Sequence, residues 1–218
     1  MNHRITALRL QKHNHQRINV YLDGEYAFGL ARIVTAWLQV GQEISDEKIT
    51  QLQSEDTREA AYQRALKSIS YRPRTEIEIR RNLAAHALSK ENIDYVVERL
   101  KRSGLINDTS YAQDWVESRA ANHPRSRRSL AYELEQRGID TEIIAQTLDT
   151  IDDEEMAYQA ALSRARKLNQ LEWKAFLRKM YRYLSQRGFN HEISSQAISR
   201  VWEQIRTTDQ SLDHEALL

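Results

Sequence analysis

The sequence predicts a mainly α protein: three tandem three-helix repeats forming an elongated curved body, preceded by a small N-terminal β-hairpin or three-stranded extension. Three observations predict it. An Asp23-Gly24 pair sits between two stretches rich in isoleucine, valine, tyrosine and phenylalanine, the pattern of a tight hairpin. From about residue 58 to 206 amphipathic helical patterns follow one another with no further strand signal. Finally, one segment recurs at a spacing of about fifty residues, the mark of a repeat protein.

The elements follow in order. "ITALRLQ" from Ile5 supplies a first strand, and "RINVYLDGEYAFGL" supplies two more around the Asp-Gly turn, where both central positions need a positive φ. "LQVGQEIS" reads as a turn and a short extended piece before a helix starting near Ser45. Three strands of this size need something to pack against. Residues 1–57 therefore form the β-rich extension with its short helix.

The repeat is clearest at its later copies. Laying 132–148 on 182–198 without a gap gives seven identities in seventeen positions, among them Gln136-Arg137-Gly138 on Gln186-Arg187-Gly188 and Glu142-Ile143 on Glu192-Ile193. A fainter copy lies 51 residues upstream, with Pro73-Arg74 on Pro124-Arg125 and Leu83 on Leu134. Both prolines of the chain thus share a register suited to the first turn of a helix. The repeats span 58–106, 107–153 and 154–206, and an acidic tail, expected to be flexible, covers 207–218. The helices are expected at 58–70, 73–86 and 89–102, at 108–122, 125–137 and 141–151, and at 154–168, 171–187 and 191–205.

Each Gln-Arg-Gly is read as a helix ending. Gly138 and Gly188 take the left-handed position after the helix, Asp140 and Asn190 cap the next one, and Arg137 and Arg187 favour the macrodipole. In the last repeat Trp173, Phe176, Leu177, Met180 and Leu184 share one face, and Ile198, Val201, Trp202 and Ile205 repeat the device on the next helix. Both faces read as core.

Little here offers chemistry. The chain has no cysteine, which excludes disulfides and thiolate nucleophiles and fits a reducing cytoplasm. His13 and His15 lack a carboxylate placed by sequence, and Asp152 to Glu155 sit at a helix start, where acids favour the dipole. No phosphate-binding loop, dinucleotide loop, zinc-protease motif or nucleophile elbow is present. No catalytic residue, cofactor or metal is expected, and no export or membrane-spanning segment is read.

Charge is more informative. The net charge is +1, but 58–106 carries 11 basic against 6 acidic residues, 107–153 carries 5 against 10, and 154–206 carries 10 against 5. Two basic blocks flank an acidic one, which points to a charged partner. Arginines cluster where the second helix of each repeat begins: Arg72 and Arg74, followed by Arg80 and Arg81, then Arg125, Arg127 and Arg128. The third repeat has Arg164, Arg166 and Lys167 before the helix and Lys174, Arg178, Lys179 and Arg182 along it. Stacked repeats would align these into a broken basic stripe facing phosphates or an acidic protein surface.

The sequence resembles the RecX family of bacterial recombination regulators in its longer form with an N-terminal β extension. The resemblance rests on "VYLDGEYAFGL", "RPRTEIEIRRNL", "GLINDTSYAQDWVESR", "YELEQRGID" and "YLSQRGFN", in that order along nearly the whole chain. One departure is visible: family members commonly carry a glycine beside the basic residues opening the second helix of the second repeat, and "HPRSRRSL" has Ser126. The resemblance implies a non-enzymatic, cytoplasmic regulator that binds the RecA recombinase, lodges in the groove of its filament on single-stranded DNA, and represses ATPase, strand exchange and coprotease functions. The expected partners are that filament and single-stranded DNA, with double-stranded DNA as a further ligand. The chain is expected to be a monomer without a membrane partner. A DNA-binding module of helix-turn-helix-like repeats acting without RecA, and a plain helical scaffold, remain the alternatives.

Overall fold

The computed structural model describes the backbone of residues 1–168 and 170–215, with side chains described to residue 205. The expected acidic tail at 207–218 lies outside the fully described residues. Two compact units are present, Met1–Ile106 and Asn107–Leu218.

The first unit opens with an antiparallel sheet of β1 (Asn2–Leu10), β2 (Arg17–Leu22), β3 (Glu25–Ala31) and β4 (Glu43–Ser45), in the order β3-β2-β1-β4. Asp23 at φ 54° and Gly24 at φ 96° make the hairpin turn between β2 and β3, the two left-handed positions that a type I′ turn demands. Alternation sends Ile5, Val20, Leu22 and Leu30 to one face, where Val34, Leu38, Ile44 and Leu52 complete a core.

Leu52 belongs to α1 (Asp46–Tyr71), and here structure and sequence differ. The short helix expected near Ser45 and the helix expected at 58–70 are one continuous helix of 26 residues. No glycine or proline interrupts 46–71, so nothing stops helix propagation once Ser45 has capped it. The sheet then fastens to the middle of this helix. Asp56 accepts from the Ala31 amide at 2.6 Å and from Arg17 Nη2 at 2.8 Å.

Beyond the sheet, α1 buries Ala61, Tyr62 and Ala65 against α2 (Glu76–Ala84) and α3 (Lys90–Arg102), whose Ile79, Leu83, Val96, Val97 and Leu100 form a second core. Glu59, only 9% exposed at its side chain, accepts from Arg99 Nη1 at 2.7 Å. The Arg99 guanidinium in turn lies 3.6 Å from the Tyr62 ring centroid.

The second unit holds α4 (Asp108–Asn122), α5 (Arg127–Glu135), α6 (Thr141–Leu148), α7 (Asp153–Ala165), α8 (Trp173–Ser185) and α9 (His191–Glu215). They share one apolar core, in which Leu130, Leu134, Ile144, Phe176, Met180, Leu184 and Ile198 are buried together. Trp173 packs on Phe176 and Trp202, yet keeps 39% of its surface exposed.

The prolines sit differently from the expectation. Pro73 and Pro124 lie two residues before the N-caps Thr75 and Ser126, outside the first helical turn. Proline biases its predecessor to extended backbone, and Arg72 is extended at φ −165°, ψ 157°. The cap hydroxyls then hold the amides of Glu78 at 3.3 Å and Ser129 at 3.2 Å. Asp152 likewise caps α7 through the amides of Glu154 and Glu155.

Candidate functional site: basic clusters of the three-helix repeats

The Gln-Arg-Gly turns close as the sequence suggests. Gly138 at φ 74° and Gly188 at φ 86° take the left-handed position, and Ile139 and Phe189 donate back to the carbonyls of Leu134 and Leu184, a Schellman-type closure. Asp140 Oδ1 then accepts from Glu142 N, and Asn190 Oδ1 from Ile193 N, each at 2.8 Å. Gly188 also meets a tight neighbour. A Cβ there would overlap Ser129 Oγ and lie 2.5 Å from Ser126 Oγ, so the turn before α9 packs directly on the entrance of α5. The Ser126 amide donates to the Arg187 carbonyl at 3.0 Å across that contact.

This explains Ser126. Its φ of −65° needs no glycine, and its hydroxyl caps α5. The glycine that the packing requires is Gly188, on the other side of the contact.

The expected basic residues divide into two groups. Arg72 forks onto Glu78 at 3.1 and 2.8 Å, with Arg74 3.8 Å from the same carboxylate. Burial opposes ionisation of Glu78, yet the bonds and charge of Arg72 and the charge of Arg74 hold it below the usual carboxylate range. Arg80 bonds Glu76 at 2.7 Å and also Asp94. Arg125 reaches Glu133 at 3.0 Å. Arg127 donates to the carbonyls of Asp149 and Ile151 at 2.9 and 2.8 Å, while its amide is held by Asp153. These residues fasten loops and helix starts.

Arg81, Arg128, Lys167, Lys174, Arg178, Lys179 and Arg182 form the other group, exposed and without an ion pair among the described residues. Lys174, Arg178 and Arg182 recur every four residues on α8, so their Cα atoms climb one side of the helix in steps of about 6 Å. This ridge lies opposite the buried Phe176, Met180 and Leu184.

Sequence reasoning missed the aromatic partners of the arginines. Arg137 lies 3.5 Å and Arg119 4.4 Å from the Trp115 ring centroid, and Arg187 lies 3.7 Å from that of Tyr183. Arg137 and Arg187 thus stack on aromatic rings in addition to standing at a helix C-terminus, where Arg137 Nη1 also donates to the Glu133 carbonyl at 2.7 Å. The signal was present in the repeat alignment, where Tyr183 stands at the position of Glu133.

Among the described residues no group of three or more histidine, cysteine, aspartate or glutamate side chains could hold a metal ion, and no helix is long and apolar enough to cross a membrane.

The architecture defines a protein of tandem three-helix repeats carried behind a small antiparallel sheet. The RecX N-terminal domain matches residues 3–45, and the first, second and third three-helix domains of RecX match 61–100, 107–148 and 152–198. The chain is 30% identical to the regulatory protein RecX of Clostridium beijerinckii over 205 residues, covering 91% of this chain and 95% of that one. It is 27% identical to RecX of Bacillus pumilus, covering 98% and 82%. A crystal structure of regulatory protein RecX superposes with a TM-score of 0.71 at 27% identity, covering 91% of this chain and 99% of that one. RecX from Lactobacillus salivarius, at 23% identity and a TM-score of 0.58, shares the fold over 67% of this chain. The chain belongs to the RecX family of regulatory proteins.

Proposed function

We propose that this protein is a non-enzymatic, cytoplasmic regulator that binds RecA and its filament on single-stranded DNA and inhibits recombinase, ATPase and coprotease activities. The observation that carries this reading is the unbroken succession of all four RecX domains along the chain. The unpaired basic groups support the DNA half of it, because phosphates are bound by cations whose charge is not already neutralised at home. The contact residues then fall in two ranks. Arg81, Arg128, Lys167, Lys174, Arg178, Lys179 and Arg182 touch phosphate or acidic protein surface, while Arg72, Arg74, Arg80, Arg125 and Arg127 shape the segments that carry them.

The test is a titration of the protein into RecA on single-stranded DNA with ATP. Hydrolysis should fall at substoichiometric amounts; unchanged hydrolysis without co-sedimentation on the filament refutes the proposal. A second reading, a DNA-binding protein acting without RecA, draws on the same α8 ridge. It requires binding to DNA alone with a steep salt slope and no preference for the filament.

A further inference from the structure

The second and third repeats place the same two arginines in the same two positions. Arg137 and Arg187 belong to the Gln-Arg-Gly turns. Arg119 and Arg164 each stand twelve residues beyond the caps of their helices, Asn107 and Asp152. What differs is the group between them.

In the second repeat Arg119 and Arg137 both stack on the Trp115 ring, and a carboxylate joins the cluster. Glu133 accepts from Arg119 Nε at 2.9 Å, from Trp115 Nε1 at 2.8 Å and from Arg125 Nε at 3.0 Å. It sits at 14% exposure and ion-pairs with two of the cluster's guanidinium groups. The repeat-equivalent position in the third repeat is Tyr183. Arg187 lies 3.7 Å and Arg164 5.4 Å from its ring centroid. Neither guanidinium has a carboxylate within ion-pair distance among the described residues, and the Nε atoms of both are buried without a partner.

Such an arrangement is electrostatically unfinished. Burial lowers the pKa of Arg187, and although Tyr183 opposes this, the charges of Arg125 and Arg164 lower it further. Like charges gathered in a partly desolvated place repel, and one anion placed among them would add an attraction to each cation that offsets this repulsion. The second repeat demonstrates the remedy, since an anion there is shared by two guanidinium groups and an indole N–H. A phosphodiester carries one negative charge and several acceptor oxygens, and guanidinium forks match it well. The block around it, 154–206, carries 10 basic against 5 acidic residues, which suits a polyanion of regularly repeated charge.

We propose that Arg164 and Arg187, held against Tyr183, form a phosphate-contact site for the backbone of single-stranded nucleic acid, while Arg125, already paired to Glu133, contributes only to the local field. The equivalent cluster of the second repeat is closed by its own Glu133 and takes no external anion. The proposal rests on the functional reading above only in taking nucleic acid as the ligand. Gly188 fixes the site, because its packing on Ser126 and Ser129 sets where the Arg187 turn lies relative to Arg125.

The test uses the full chain and a fluorescein-labelled oligothymidylate, with binding followed by anisotropy over a range of salt. Arg187→Gln should weaken binding about tenfold or more, as loss of a charge-assisted bond does, and flatten the slope of log K against log salt by about 0.7. Tyr183→Glu should have the same effect by supplying the carboxylate of the second repeat, and its melting temperature shows that the fold persists. Arg137→Gln should leave affinity for the oligonucleotide unchanged. If both third-repeat variants bind with wild-type affinity and slope, the site is wrong, whether or not the wild-type protein inhibits RecA. If they bind the oligonucleotide normally but lose the filament, the ligand is acidic protein surface and the nucleic-acid assignment is overturned. The RecA ATPase titration, run separately on the wild type, reports on the broader reading alone.

Discussion

Gly188→Ala should be among the most damaging single-methyl additions in the second unit. Two costs combine. At φ 86° the backbone is left-handed, which costs a non-glycine residue about 1–2 kcal/mol, offset by about 0.5–1 kcal/mol of backbone entropy that glycine forfeits. The new methyl also overlaps Ser129 Oγ and crowds Ser126 Oγ. Ser126 is 1% exposed and caps α5, so displacing it costs about 1 kcal/mol, and forced overpacking costs about 1 kcal/mol more. The sum is about 2–3 kcal/mol. Gly104 is the internal control, with φ 66° and nothing within 4 Å of a built Cβ; Gly104→Ala should cost about 0.5–1 kcal/mol. Urea unfolding followed by tryptophan fluorescence suits the comparison, because Trp115, Trp173 and Trp202 all lie in the second unit while Trp37 lies in the first; circular dichroism reports the Gly104 variant. With a urea dependence of about 2 kcal/mol per molar, Gly188→Ala should lower the midpoint by about 1 M. Adding Ser129→Ala should recover part of the loss. Equal costs for the two glycines would refute the packing argument.

Two further outcomes are expected. Arg99→Ala removes the cation from the Glu59 carboxylate, which is nearly buried and keeps only the Gln63 amide, and should cost the first unit about 2 kcal/mol; a loss under about 0.5 kcal/mol would mean that water reaches Glu59 freely. His3 bridges Asp23 at 2.8 Å and Asp46 at 3.1 Å, and its pKa is raised above 6.5, first by the bond to Asp23. Its contribution is therefore full below pH 6.5 and fades as pH rises through the raised value. His3→Gln should abolish that component of the pH dependence of unfolding, and an unchanged profile would show that the bridge contributes nothing.

The sequence made some of this legible through short-range chemistry. Asp23-Gly24 announces a turn that few other pairs adopt, and the fifty-residue offset aligns Gly138 with Gly188. What stayed hidden depends on partners brought in by folding. Arg125 reads as a surface cation until Glu133, eight residues on, turns toward it. The continuity of α1 was hidden by the repeat logic, which placed a boundary at 57 where the backbone has no reason to stop. The third copy of the left-handed turn also escaped notice, because the first repeat places Ala87 there at φ 56°, a strained choice that no glycine pattern reveals. The site at Tyr183 was missed for a related reason. Its meaning lies in one charge being absent where its sister repeat has one.

The uninterrupted α1 has a mechanical consequence. At 1.5 Å per residue its 26 residues span about 39 Å. The sheet grips it through Asp56 and Leu52, and the first repeat grips it through Glu59, Ala61 and Tyr62. A hinge between them would have to break helical hydrogen bonds in the middle of the rod. A partner that seizes the sheet therefore turns the first three-helix domain with it, as a handle turns a key.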